Sequence, residues 1–107
     1  MGGPEWGTAS EELNATILAW DADEGPAESV NAERDVALVV IQGSLLLVED
    51  GERRLLVEGQ ATIVPKGVRR KLTAGPEGVR YASVHRKRGG LGIASRSPGR
   101  SGPSRPA

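Results

Sequence analysis

Short apolar or alternating segments, separated by turn residues, run along most of this chain. Residues 14–20 alternate and are rich in β-branched and aromatic side chains, whereas residues 35–42 are apolar on both faces, as in a strand buried between two layers. Gly43 predicts a bend or bulge before the next segment. Helical periodicity of useful length is absent. The pattern predicts an all-β fold with strands at residues 14–20, 35–42, 44–48, 53–57, 61–64, 68–73 and 79–85.

Turn residues mark the connections between these strands. Asp50-Gly51 predicts a tight hairpin, because this pair readily adopts the positive φ angles that such turns need. Loops are predicted at residues 21–27, which are acidic and contain Gly-Pro, and at residues 75–78. Residues 9–13 predict only a short turn, with Ser10 as a cap.

The length of 107 residues allows one domain, and its core must be aliphatic because the chain has no Phe. We predict an N-terminal arm at residues 1–13 and a barrel at residues 14–93. Residues 94–107, rich in Gly, Ser, Pro and Arg, are predicted to be a disordered tail. The chain has no cysteine, and we read no export signal and no membrane span, so we expect a cytoplasmic protein.

The charges are unevenly distributed, although the net charge is zero. Residues 1–50 carry eleven Asp or Glu and one Arg, whereas residues 51–107 carry three acidic and thirteen basic residues. A basic half can indicate nucleic-acid binding. Aromatic residues, which stack on bases, make up only 3% of the chain. We therefore regard nucleic acid as an unlikely partner and expect the two halves to lie side by side in an interleaved sheet.

The spacing Gly59-x5-Pro65-x-Gly67, together with the strand series and the Asp-Gly hairpin, resembles the cupin superfamily. The resemblance covers about residues 14–85 and implies a small cupin-like barrel, also described as a double-stranded β-helix or jelly roll. The second cupin motif, G-x5-P-x-G-x2-H-x3-N, departs from this sequence at Arg70 and Ala74.

The resemblance also implies a metal site, but this chain lacks the usual ligands. The first cupin motif, G-x5-H-x-H-x3,4-E-x6-G, places its ligand positions on Ser29, Asn31 and Val36 when it is aligned to Gly43. A shift in register would bring Glu33 or Asp35 to the acidic position. We expect no metal and no other cofactor, since Arg70 has no lone pair to donate and repels a cation. Calcium or magnesium bound only by the carboxylates of Glu28, Glu33 and Asp35 is a weaker alternative.

Arg70 is the main candidate for ligand binding. If it faces inward, as the family histidine does, then Val68 and Leu72 share its face, and a cation lies at the mouth of an apolar cup. A buried charge needs a partner. That partner is either a carboxylate of the chain itself, at Glu33 or Asp35, or an anionic ligand.

The last predicted strand offers further polar candidates. Tyr81, Ser83 and His85 share one face, and we favour this face as the lining of the cup. His85 is the candidate general base, because histidine is the side chain that most often has this role near neutral pH. The predicted ligand-contacting residues are Arg70, Tyr81, Ser83, His85, Asn31 and Asp35.

These residues lead to three functional hypotheses. The first is a metal-independent module that binds a small anionic or polyhydroxyl molecule. The second is a cupin-type enzyme, isomerase-like or dioxygenase-like, that uses His85 without a cofactor or with an atypical metal. The third is an interaction subunit whose cup is filled by its own side chains. We also expect a homodimer, because a second copy would cover apolar side chains on the outer face of residues 36–48.

Overall fold

The computed structural model describes residues 2–87, and it confirms the predicted all-β class. Every regular element in these residues is a strand, so none of them is a helix long and apolar enough to cross a membrane. The strands are β1 (Gly3–Ala9), β2 (Leu13–Trp20), β3 (Ser29–Val30), β4 (Val36–Glu49), β5 (Glu52–Val57), β6 (Ala61–Val64) and β7 (Arg69–Arg86). The predicted boundary at residue 93 and the predicted tail at residues 94–107 lie outside the described part.

Two long strands, β4 and β7, form the centre of the molecule. All strands pair antiparallel in the order β1-β2-β7-β4-β5, with β3 also on β7 and β6 also on β4. The first half of β4 pairs with the second half of β7, and the remaining halves pair with each other. The sequence pattern predicted two separate strands in place of β4, at residues 35–42 and 44–48, and two in place of β7, at residues 68–73 and 79–85. In the structure each pair forms one continuous strand.

The break in register between the two halves lies where Gly43 and the predicted loop 75–78 occur. Gly43 pairs with Val79 and Leu45 pairs with Ala74, so four residues of β7 lie opposite the single residue Ser44. Gly43 has a φ of 82°, and a Cβ there would collide with the carbonyl oxygen of Gly78. A glycine is therefore required at this bend for both its conformation and its close contact.

The core is aliphatic except for one aromatic residue, as the composition predicts. Alternation along β4 buries one side of the strand, and the other strands contribute their inward positions. Tyr81 is the largest side chain in this core and is only 2% exposed. The buried set is Val36, Leu38, Val40, Leu45, Leu47, Leu56, Val64, Leu72, Ala74, Val79 and Tyr81.

The predicted turns at Asp50-Gly51 and in the Gly-Pro-Gly motif are confirmed. Asp50 and Gly51 have φ angles of 47° and 88°, and β4 and β5 pair directly across them. Gly59 and Gly67 also have positive φ angles, 88° and 83°. These glycines shape turns, as the motif indicates.

Residues 3–9, predicted as part of an arm, instead form strand β1 at the edge of the sheet. Ser10 Oγ accepts hydrogen bonds from the backbone N–H groups of Glu12 and Leu13, which closes the turn into β2. Arg80 Nε donates to Glu5 Oε1 at 2.8 Å and Arg80 Nη1 donates to Gln42 Oε1 at 2.7 Å. The ion pair between Glu5 and Arg80 joins the acidic and basic halves of the chain, as expected for an interleaved sheet.

Candidate functional site

A cavity of about 180 Å³ opens between the layers of the barrel, and we call it the cup. Its walls are mostly apolar, with a small number of polar groups and one cation, which is typical of small-molecule sites. The lining residues are Leu18, Pro26, Ala27, Ser29, Leu38, Arg70, Leu72, Tyr81 and Ser83. Three predicted ligand-contacting residues, Arg70, Tyr81 and Ser83, therefore lie together.

Strand β7 positions all three of these residues. Arg70 and Leu72 are two residues apart, so they share a face, as do Tyr81 and Ser83 in the second half of the strand. Both pairs line the same cavity although the irregular residues 75–78 separate them. The predicted inward orientation of Arg70 matches its place in this lining.

The guanidinium of Arg70 is only partly accommodated by the protein. Its Nη1 atom is buried and has no hydrogen-bond partner among the described residues. Burial lowers the pKa of Arg70 from its usual value, while the neighbouring Tyr81 hydroxyl raises it slightly. A buried guanidinium nitrogen without an acceptor is energetically costly, and this position would favour an incoming anion.

The hydroxyl of Tyr81 is close to Arg70 and to the indole of Trp20. Burial raises the pKa of Tyr81, whereas the Trp20 N–H and the Arg70 charge lower it in part. Trp20 Nε1 faces the hydroxyl but is buried without a partner that meets hydrogen-bond geometry. The indole N–H is therefore directed at the Tyr81 hydroxyl, an arrangement that the sequence pattern did not identify.

Outside the cup, Arg70 also lines a second cavity of about 370 Å³, which we call the outer pocket. Its other lining residues come from the segment between β3 and β4. Arg34 lies in this segment, and its Nε atom is buried without a hydrogen-bond partner among residues 2–87. The lining residues are Val30, Asn31, Ala32, Glu33, Arg34 and Arg70. The sequence analysis did not identify Arg34 as a candidate. The one available signal was that Arg34 follows Asn31 by three residues, a spacing at which an Asn side chain can accept from the backbone and form a turn.

Asn31 and Asp35, two predicted ligand-contacting residues, use side-chain oxygens to organise loops. Asn31 Oδ1 accepts hydrogen bonds of 3.1 Å from the backbone N–H groups of Glu33 and Arg34, and this turn places Arg34 at the outer pocket. Asp35 Oδ1 accepts a 2.9 Å hydrogen bond from the backbone N–H of Lys66. Asn31 lines the outer pocket, whereas Asp35 is in neither lining.

His85, the predicted catalytic residue, lies near the end of β7. Its Nδ1 is 2.9 Å from the carbonyl oxygen of Arg86, which can only accept, so Nδ1 is the donor in this contact. His85 is not among the described residues that line the cup, although it follows Ser83 on the same face of the strand.

The side chains at the family's metal positions do not fit a metal ion. Ser29 and Arg70 pair across β3 and β7 and both line the cup, where the guanidinium offers no lone pair. Val36 is apolar and only 2% exposed. Within residues 2–87, no three His, Cys, Asp or Glu side chains lie close enough together to hold a metal, which includes the carboxylates of Glu28, Glu33 and Asp35.

The fold is similar to several solved cupin structures. KdgF from Halomonas sp. has a TM-score of 0.67 and 20% identity, covering 73% of this chain and 72% of its own. An RmlC-like cupin from Shewanella frigidimarina has a TM-score of 0.64 and 20% identity, covering 71% and 67%. A putative ethanolamine utilization protein Q from Salmonella typhimurium has a TM-score of 0.58 and 26% identity, covering 69% and 57%.

Sequence comparisons are less informative than the structural ones. No protein-family model matches the chain, and no curated protein matches it either. The structural similarity nevertheless covers 71–78% of the chain in the matches to proteins described as cupins. The chain therefore has the fold of the cupin superfamily, as a small cupin-like jelly-roll barrel.

Proposed function

We propose that this protein is a metal-independent, cupin-like module that binds a small anionic or polyhydroxyl molecule in the cup. The observation that carries the proposal is the Arg70 guanidinium, which lines the cup and whose buried Nη1 atom has no hydrogen-bond partner among the described residues. A carboxylate or phosphate oxygen in the cup would give this guanidinium an acceptor, and charge-assisted hydrogen bonds of this kind are among the strongest in proteins. Tyr81, Ser83 and Ser29 would orient the rest of the ligand through their hydroxyls.

The remaining walls of the cup also support this function. Leu18, Leu38 and Leu72 line the cup together with Arg70, and apolar walls of this kind strengthen the attraction between a guanidinium and an anion. Trp20 Nε1 is a further donor near the Tyr81 hydroxyl. An uncharged polyhydroxyl ligand could accept hydrogen bonds from the Arg70 guanidinium, whereas a cation would be repelled by it.

A thermal-shift panel tests the proposal. Protein treated with EDTA would be melted with acetate, butyrate, succinate, gluconate, inorganic phosphate and glucose, with unfolding followed by Trp fluorescence. We expect at least one of these compounds to raise Tm in a saturable manner, because ligands that bind only the folded state stabilise it. Arg70→Met should remove the response.

Arg69→Met is the matched control. It makes the same substitution and removes the same charge at the neighbouring position, but Arg69 is exposed and does not line the cup. This variant should respond as the original protein does. The proposal is rejected if no compound in the panel raises Tm, or if Arg70→Met retains the full response.

The enzyme hypothesis based on His85 has less support from the geometry. His85 lies outside the cup lining and its Nδ1 contacts a backbone carbonyl, so no observation places a base beside the candidate ligand. The interaction-subunit hypothesis also has less support. It requires a cup filled by the protein's own side chains, whereas the cup is a cavity of about 180 Å³. We therefore propose the binding module as the principal function, in the cytoplasm.

We also propose a homodimer formed through the outer face of β4, β5 and β6. Alternation directs several apolar side chains outward on these neighbouring strands. They are 37–61% exposed, and they form the kind of apolar surface that interfaces use. The residues are Val39, Ile41, Leu55, Val57 and Ile63. Sedimentation velocity at micromolar concentration should show a dimer that Ile63→Glu dissociates, and a monomer at every concentration would reject the proposal.

A further inference from the structure

Two arginines on the same side of the barrel each leave a buried guanidinium nitrogen without a partner. Arg70 Nη1 and Arg34 Nε are both buried and unsatisfied among the described residues. Both side chains line the outer pocket, and Arg70 lines the cup as well. Arg70 is therefore shared by the two linings, whereas Arg34 belongs only to that of the outer pocket.

The sizes of the two cavities indicate how a ligand would occupy them. The cup alone, at about 180 Å³, is smaller than the roughly 300–1,000 Å³ of ordinary ligand pockets. The outer pocket adds about 370 Å³ and is lined by polar and charged groups. A ligand that reached from the cup to the outer pocket would place its less polar part against the leucines of the cup and its more polar end in the outer pocket.

We propose that the ligand carries two oxyanion groups, one bound by Arg70 and the second by Arg34 in the outer pocket. This inference rests on the proposed function and specifies its ligand class as a short dicarboxylate or a related dianion. Each guanidinium presents several N–H donors in a plane that matches a carboxylate.

Other charged groups around the outer pocket limit which ligands fit there. Glu33 also lines it and brings one negative charge, so the pocket has two cations and one carboxylate. The Glu33 side chain makes an interaction of its own. A third anionic group on the ligand would meet Glu33 and would be repelled, which favours a dianion over a trianion.

The turn that holds Arg34 supports a binding role. Asn31 Oδ1 accepts from the backbone N–H of Arg34, and the carbonyl oxygen of Asn31 accepts a 2.8 Å hydrogen bond from Gly67 N–H. The backbone under Arg34 is thus fixed to the Gly-Pro-Gly turn that precedes β7. A fixed backbone reduces the entropy lost when the guanidinium binds a ligand.

Calorimetric titration with butyrate and succinate, which have the same carbon skeleton length, tests the inference. We expect succinate to bind the original protein about tenfold more tightly than butyrate, because one more charge-assisted hydrogen bond is formed. Arg34→Met should lower the succinate affinity to that of butyrate and leave the butyrate affinity unchanged. Arg53→Met, which removes an exposed arginine of β5, should change neither.

The outcomes separate this inference from the proposed function. If butyrate binds through Arg70 but succinate binds no more tightly, or if Arg34→Met lowers both affinities equally, the second oxyanion site is rejected while the module stands. If neither acid binds the original protein, the second oxyanion site is rejected, whereas the proposed function is overturned only if no compound of the thermal-shift panel binds. Thermal melting of Arg34→Met would show that the variant is folded, and Arg34→Lys should retain part of the preference for succinate.

Discussion

Replacing Arg70 with methionine should make the ligand-free protein more stable, while removing its response to anions. We expect the free energy of unfolding to rise by about 1 kcal/mol, because the substitution removes a buried, unsatisfied donor and keeps an apolar chain of similar length. Urea unfolding of the original protein and of Arg70→Met would measure the difference, with an unchanged slope showing that the same surface unfolds.

Tyr81 provides an internal check on this variant, because the chain contains a single tyrosine. The Arg70 charge lowers the pKa of Tyr81, so its removal should move that pKa further upward, as absorbance at alkaline pH would report. Arg69→Met should change neither the stability nor the tyrosine titration. A loss of stability in Arg70→Met would show instead that Arg70 is satisfied within its own chain.

Leu47→Ala should have the largest effect on stability. Leu47 is 0% exposed in β4, paired with Arg54 of β5 and Leu72 of β7, so shortening it leaves a cavity between the layers. We expect a loss of about 2–5 kcal/mol, a large part of the roughly 5–15 kcal/mol that stabilises a domain. Urea unfolding would measure the loss as a lower midpoint.

Leu13→Ala is the matched control for this prediction. Leu13 is 47% exposed at the beginning of β2, and its truncation should change the free energy of unfolding by about 0.5 kcal/mol or less. Equal losses from Leu47→Ala and Leu13→Ala would contradict the described core. Because Leu72 also lines the cup, Leu47→Ala should also weaken ligand binding.

Much of the fold could be predicted from the sequence because its turns have strong local causes. Asp50-Gly51, Gly59 and Gly67 all require positive φ angles, and the apolar segments between them have the period of strands. The continuity of β4 through Gly43 could not be predicted, since a bulge and a loop have similar local signals. The pairing of residues 3–9 with β2 could not be predicted either, since this segment contains two glycines and a proline, which disfavour strands, and is exposed along most of its length.

The candidate site was predictable where strand alternation determined it, and less so in the loops. Alternation along β7 placed Arg70, Tyr81 and Ser83 on inward faces, and the structure brings them together. Arg34 follows no period, and its position depends on a turn formed by the Asn31 side chain. Whether Arg70 has a partner in its own chain depends on the arrangement of these loops, which a linear pattern cannot show.

A crystal structure of the EDTA-treated protein with succinate would test the central claim most directly. We predict a carboxylate oxygen in the cup about 2.7–2.9 Å from a guanidinium nitrogen of Arg70, the usual length of a charge-assisted hydrogen bond. A cup without ligand in which Arg70 Nη1 is bonded to a carboxylate of its own chain would contradict the claim, as would succinate bound only elsewhere on the protein.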